Sequence, residues 1–138
     1  MKMREILFRG KRINNGEWID GYLYITHTGT YEIGCYNAET NIERWTFIVD
    51  PSTVGQYTGL KDKNGKRIFE GDILLWTGED GETGKVIVIF AGGAFMLKCV
   101  EVAEADLDPF SQFEIANQTL EIIGCIHDSP ELLKGGAE

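Results

Sequence analysis

The sequence predicts a mainly β protein of many short antiparallel strands with minimal helix, and three observations predict it. Seventeen glycines stand against three prolines; falling singly between short apolar runs, they supply positive-φ turn positions. Several of those runs alternate apolar and polar residues with period two. Turn signals recur about every 8–12 residues, the spacing of a barrel or sandwich.

In chain order, Glu5–Arg9 reads as a short strand, and Glu17–Ile25 as a second. Between them Asn14-Asn15-Gly16 is a hairpin signal, because an Asn-Gly step tolerates positive φ at both turn positions. Tyr31–Tyr36 and the aromatic, β-branched run Glu43–Val49 follow as strands. Asp50-Pro51 stops the fourth strand, and Ser52 or Thr53 could cap a single helical turn. Asn64-Gly65 marks a tight turn between Tyr57–Leu60 and Arg67–Phe69. Glu70-Gly71-Asp72 leads into Ile73–Trp76, and Gly78–Gly84 is an exposed hairpin loop. Lys85–Phe90 is the clearest strand; Ala91-Gly92-Gly93 turns it into Ala94–Val100. The acidic stretch Glu101–Asp108 breaks regular structure, and a short helix fits Ser111–Asn117. Leu120–His127 closes the strand list, and Pro130–Lys134 forms a final turn capped by Asp128 or Ser129.

This pattern divides the chain into an N-terminal β region, 1–56, an SH3-like β-barrel region, 57–134, and a frayed tail, 135–138. At 138 residues folding buries roughly two-thirds of the unfolded surface, enough for a self-sufficient core. Cys35, Cys99 and Cys125 are odd in number, widely spaced and set among apolar or aromatic residues, so free thiols in a reducing compartment are expected. No apolar run approaches the ~20 residues of a membrane helix, and the amino end lacks the apolar stretch of a leader peptide. The expectation is a cytoplasmic protein with no membrane attachment.

The net charge of −9 is unevenly placed. Residues 1–67 carry ten Lys/Arg against eight Asp/Glu, whereas residues 68–138 carry three against fourteen. Such an acidic second half repels phosphate backbones and disfavours nucleic acid there. The basic residues cluster in the amino-terminal arm (Lys2, Arg4, Arg9, Lys11, Arg12) and in Lys61–Arg67.

Three stretches together resemble the YopX family: Arg4–Lys11 with Gly16-Glu17-Trp18, the long run Val54–Ile73, and Glu121–Leu133. The central run is the most specific; the last carries Cys125 and His127 where the family more often has asparagine and tyrosine. The resemblance implies a bacteriophage or prophage origin, hence a bacterial host cell, and a mainly β fold. It implies no activity. The matching residues read as a folding signature: Asn64-Gly65 for a turn, Gly71 for a bend between lobes, Ile68, Phe69 and Ile73 for the interior. Asp72 would accept backbone N–H bonds, and Leu132 and Leu133 would pack as a lid. A shared surface around Gln56, Tyr57 and Lys61 is the candidate contact with a partner.

The chemistry-bearing residues form no recognisable catalytic set. There is no Gly-x-Ser-x-Gly, and the imidazoles are His27, in a Thr-His-Thr-Gly turn, and His127. Cys125-x-His127 on one strand would share a face, with Cys35, Cys99 or a carboxylate as third metal ligand, but the paired spacing of zinc modules is missing. Asp106-x-Asp108 with Glu101 and Glu104 lacks the glycine and distal glutamate of a calcium loop. Gly78–Gly84 is glycine-rich but acidic, the wrong sign for phosphate.

The reading is a non-enzymatic binding module with no cofactor and no metal, acting on a protein partner and possible as a homo-oligomer. The acidic half could dock a basic protein. The alternative is single-stranded nucleic-acid binding by the basic, aromatic amino-terminal half, through Trp18, Tyr22, Tyr24, Tyr31, Trp45 and Tyr57; alternating strand aromatics more often fill a core, and the overall charge opposes it.

Overall fold

A computed structural model describes residues 5–36, 44–100, 108–109 and 120–134. The described residues are mainly β, with strands and two short 3-10 turns as their regular elements. They divide into two compact units, Met1–Tyr57 and Thr58–Glu138.

In the first unit β1 (Phe8–Lys11), β2 (Trp18–Ile25), β3 (Tyr31–Tyr36) and β4 (Arg44–Ile48) form an antiparallel meander in the order β4-β3-β2-β1. The start of β5 (Gly55–Lys61) joins the other side of β1, with Gly55 opposite Arg9 and Gln56 opposite Phe8. The first strand therefore lies later than Glu5–Arg9, because its extent is set by partners on both sides rather than by local composition. Asn15-Gly16 does turn the β1–β2 hairpin, with Gly16 at φ 72°.

The meander curls back on itself. Arg12 bridges Val49, Ile13 donates its N–H to the Ile48 carbonyl at 3.1 Å, and Asp50 donates to the Lys11 carbonyl at 2.8 Å. Ile33 and Val49, both fully buried, fill the curl. The tightness explains two glycines: a Cβ on Gly10 would lie 3.1 Å from the Val49 Cβ, and one on Gly21 would collide with the Gly34 carbonyl oxygen. After Val49, a 3-10 turn spans Pro51–Thr53. Its cap is Asp50, earlier than Ser52 or Thr53: the Asp50 carboxylate accepts the Ser52 N–H at 3.0 Å. Thr53 is instead an internal tie, its hydroxyl accepting the Lys11 N–H at 2.9 Å.

In the second unit the end of β5 pairs with β6 (Arg67–Phe69). A five-stranded antiparallel sheet follows in the order β10-β9-β8-β7-β11, formed by β7 (Asp72–Thr77), β8 (Thr83–Ala91), β9 (Ala94–Cys99), β10 (Asp108–Pro109) and β11 (Leu120–Cys125). Among the described residues the expected SH3-like barrel is not closed, since β10 and β11 stand at opposite ends of the strand order. Closure would require β10 to pair with β11, and of the two described residues of β10 one is a proline without an N–H. The helix expected over Ser111–Asn117 and the acidic stretch 101–107 lie outside the described residues.

Ile68, Leu74, Val88, Leu97 and Leu120 form the core of this unit, with Trp76, Phe95 and Ile122 against it. Each such buried aliphatic chain contributes about 1.5–3 kcal/mol, so five of them anchor the sheet. The ladder of β11 with β7 shifts register between Ile122 and Gly124. Gly124 is needed there, since a Cβ would sit 2.6 Å from the Ser129 Oγ and 3.1 Å from a Leu132 methyl of the closing 3-10 turn, Pro130–Leu133. Leu132 thus packs on the backbone of β11, and the Lys85 ammonium binds its carbonyl at 3.1 Å.

Candidate functional site

The polar residues of the long central run act on backbone. Asp62 is 1% exposed; its Oδ1 accepts the N–H groups of Asn64 and Lys66, both at 2.9 Å, and its Oδ2 accepts that of Ile122 at 3.0 Å. Burial favours the protonated acid, but the three backbone donors and nearby Lys66 outweigh it and hold the carboxyl below its ordinary range. Asp72, equally buried, accepts the Phe69 N–H at 2.7 Å. Gly65 takes φ 79° in the turn. Gly71, at φ 92°, turns β6 into β7 within the second unit; it is not a bend between lobes. Ile68, Phe69 and Ile73 are buried as expected.

The candidate contact residues have three different environments. Tyr57 is 5% exposed and its backbone N–H donates to the Leu7 carbonyl at 2.8 Å. Gln56 is half-buried, and Lys61 is exposed. A partner could reach Lys61 but not the ring of Tyr57.

His27 is exposed in the β2–β3 turn, where the Thr26 hydroxyl accepts the Thr30 N–H at 3.0 Å. Cys125 and His127 do not share a strand face: β11 ends at Cys125, and His127 lies in the turn that follows. Among the described residues no group of three or more His, Cys, Asp or Glu side chains is placed to hold a metal. The three thiols are free, Cys125 buried and the other two half-buried. Burial, and then the charge of Asp20, pushes the Cys35 thiol up. Among the described residues no helix is long and apolar enough to cross a membrane.

Among the described residues, exposed apolar surface is concentrated in the first unit. Of the eight large hydrophobic residues that stand exposed among the described residues, Ile6, Ile13, Tyr22, Tyr24, Ile25, Trp45 and Ile48 belong to it, and Phe90 to the second. Register places several together. Tyr22 faces Gly34, which faces Thr46; Tyr24 faces Glu32, which faces Ile48. Directly paired residues point to the same side of a sheet, so Tyr22, Tyr24 and Ile48 share the outer face of the curl. Trp18 lies farther along that face, under the Arg9 guanidinium at 4.8 Å and the Lys11 ammonium at 5.5 Å. Composition marks all these aromatics alike; only the choice of covered face separates Tyr57 from Tyr22 and Tyr24. The signal available was period two, which sets both tyrosines with polar Asp20.

A shallow cleft of about 420 Å³ lies at the end of the curl, lined by Arg12, Ile13 and Asn14 on one side and Thr46, Phe47 and Ile48 on the other. The Arg12 guanidinium covers the Phe47 ring at 4.2 Å, with the Glu17 carboxylate 3.8 Å away. A second, of about 410 Å³, lies between residues 5–8 and Tyr22-Leu23. Neither includes a residue of the central run.

A family model described as YopX protein matches residues 7–134. Among solved structures, the chain is similar to protein EF1440 from Enterococcus faecalis, with 22% identity, a TM-score of 0.56, and coverage of 96% of this chain and 100% of that one. It is also similar to protein yopX from Bacillus subtilis, with 22% identity, a TM-score of 0.58, and coverage of 93% and 98%. At that identity the likeness shows the fold. No curated protein matches the chain.

Proposed function

The chain belongs to the YopX protein family, and we propose that it is a phage or prophage accessory protein working as a non-enzymatic protein-binding module. The contact surface is the outer face of the first unit around Tyr22, Tyr24 and Ile48. One observation carries this reading: among the described residues, seven of the eight exposed large hydrophobics fall in that unit, and these three are neighbours by register. Tyrosine offers large contact area at low entropic cost, and it is enriched in protein interfaces.

A single-stranded nucleic acid is the second reading, favoured by the cations Arg9 and Lys11 beside Trp18. The same face carries Asp20 opposite Arg9 and Glu32 opposite Tyr24, which offset that charge. The Trp18 ring is already covered by the cations, so base stacking would have to displace them. A protein surface fits this mixture better.

The test is capture from bacterial host lysate by the 138-residue protein and by a Tyr22→Ala/Tyr24→Ala double variant, at low and high salt. A defined protein retained by the first and lost by the second supports the reading; equal capture by both, or retention of oligonucleotide alone, contradicts it.

A further inference from the structure

The two units treat their open sheet edges differently. In the second, β11 is an edge strand, and its outward groups are capped by the turn after β5. The Leu120 carbonyl accepts the Lys63 N–H at 2.9 Å, the Ile122 N–H goes to Asp62, and Glu121 meets the Lys63 ammonium at 3.4 Å. Capping of this kind keeps an edge from pairing with another chain.

In the first unit β4 is the edge. Backbone groups of successive strand residues alternate in direction. Val49 donates its N–H inward, to Tyr31 on β3, whereas the Ile48 carbonyl points outward and accepts from Ile13. Thr46, two residues before Ile48, therefore also aims its N–H and C=O outward. Among the described residues no strand lies beyond it. The run Trp45-Thr46-Phe47-Ile48 contains no lysine, proline or bulge to blunt the edge. The cleft between Ile13 and Phe47 opens here, beside side chains that are 64% (Ile13) and 51% (Ile48) exposed.

We propose that this edge binds an extended peptide, which adds to β4 as a strand and sets an apolar side chain into the cleft between Ile13 and Phe47. The occupant follows from the groups on offer. The outward N–H and C=O of Thr46, and by the same alternation those of Arg44, lie at strand spacing and complement another extended backbone. The chain already shows this chemistry, since Arg12-Ile13 pair antiparallel with the Ile48-Val49 end of the same edge. Arg12 is engaged by Phe47 and Glu17, so the attraction is backbone pairing plus apolar burial. The peptide carries apolar residues at alternate positions, matching the period of the strand it joins. This rests on the protein-binding reading and deepens it.

Selection of surface-displayed random peptides of about ten residues, long enough to extend ~33 Å, against the whole protein tests the proposal. Two variants accompany it. Thr46→Pro removes the outward N–H, at an edge position where proline is tolerated, and Ile13→Asp changes the cleft wall at an exposed side chain outside the named strands. Enriched peptides should alternate apolar residues, bind each variant at least tenfold more weakly, and slow hydrogen exchange at the Thr46 amide. Ile13→Asp keeps the test decisive should Thr46→Pro unfold. Three results overturn the proposal: no enrichment above that on Ile13→Asp, full affinity for both variants, or protection of Thr46 by self-association alone, which would make the occupant a second copy. Peptides that ignore both variants but are lost on Tyr22→Ala/Tyr24→Ala would leave the protein-binding reading standing without the edge.

Discussion

The carboxylate of Asp62 accepts the backbone N–H of Ile122, 60 residues away in sequence, at 3.0 Å. One buried side chain thereby closes its own turn and fastens the edge strand β11. Asp62→Ala strands three N–H groups, each costing about 1–3 kcal/mol when left unsatisfied. Partial access of water to the turn brings the expected loss to about 3 kcal/mol, read as a shift in urea midpoint.

The same carboxylate makes stability pH-dependent. Its folded pKa is depressed, so its contribution is fully present above the unfolded value and is lost as pH falls through the folded one. Urea midpoints should decline below about pH 4, and the decline should be shallower in Asp62→Asn. Equal acid slopes in the two proteins would contradict this.

Gly21 and Gly16 should respond differently to alanine. At Gly21 the added methyl meets a backbone oxygen inside the curl, so strands must separate, at a cost of about 3 kcal/mol or more. At Gly16 the space is open, and only the positive φ is strained, at about 1 kcal/mol. Thermal unfolding of the two variants checks the ranking.

Tyr22→Ala/Tyr24→Ala should leave stability within about 0.5 kcal/mol, as exposed positions usually do. Partner binding should fall at least tenfold. Circular dichroism melting with a binding titration on one preparation separates the two effects.

Thiol labelling should follow burial. Cys99, half-buried, should react in the native protein before Cys125, 6% exposed, and Cys125 should label at the rate of unfolding. Mass spectrometry of timed quenches reads the order.

What could be read from sequence was local. Asn15-Gly16 and Asn64-Gly65 turn as expected because positive φ is a property of the residue itself. Ile68, Phe69 and Ile73 bury because a short apolar run between turns has few other fates. The sixty-residue reach from Asp62 to Ile122 was invisible, since a carboxylate beside a turn does not announce its second partner. The bridge from Arg12 to Val49 was equally hidden, and with it the reason for Gly10 and Gly21. Cys125 and His127 share a face only in a strand that runs to His127, and β11 ends at Cys125. Tyr57, a candidate for the contact surface, is buried, while Tyr22 and Tyr24, which belong to the same set of aromatics in the sequence, stand outside. Which face of a strand is covered is decided by what packs on it.

Paired measurement of stability and of affinity for the captured partner protein on Asp62→Asn and on Tyr22→Ala/Tyr24→Ala bears most directly on the division between residues that build and residues that bind. The first variant should unfold at lower urea yet bind, while folded, as tightly as the parent; the second should unfold at the parental midpoint and bind at least tenfold more weakly. A folded Asp62→Asn protein with lost affinity, or a tyrosine variant with lost stability and unchanged binding, would show the roles to be the reverse.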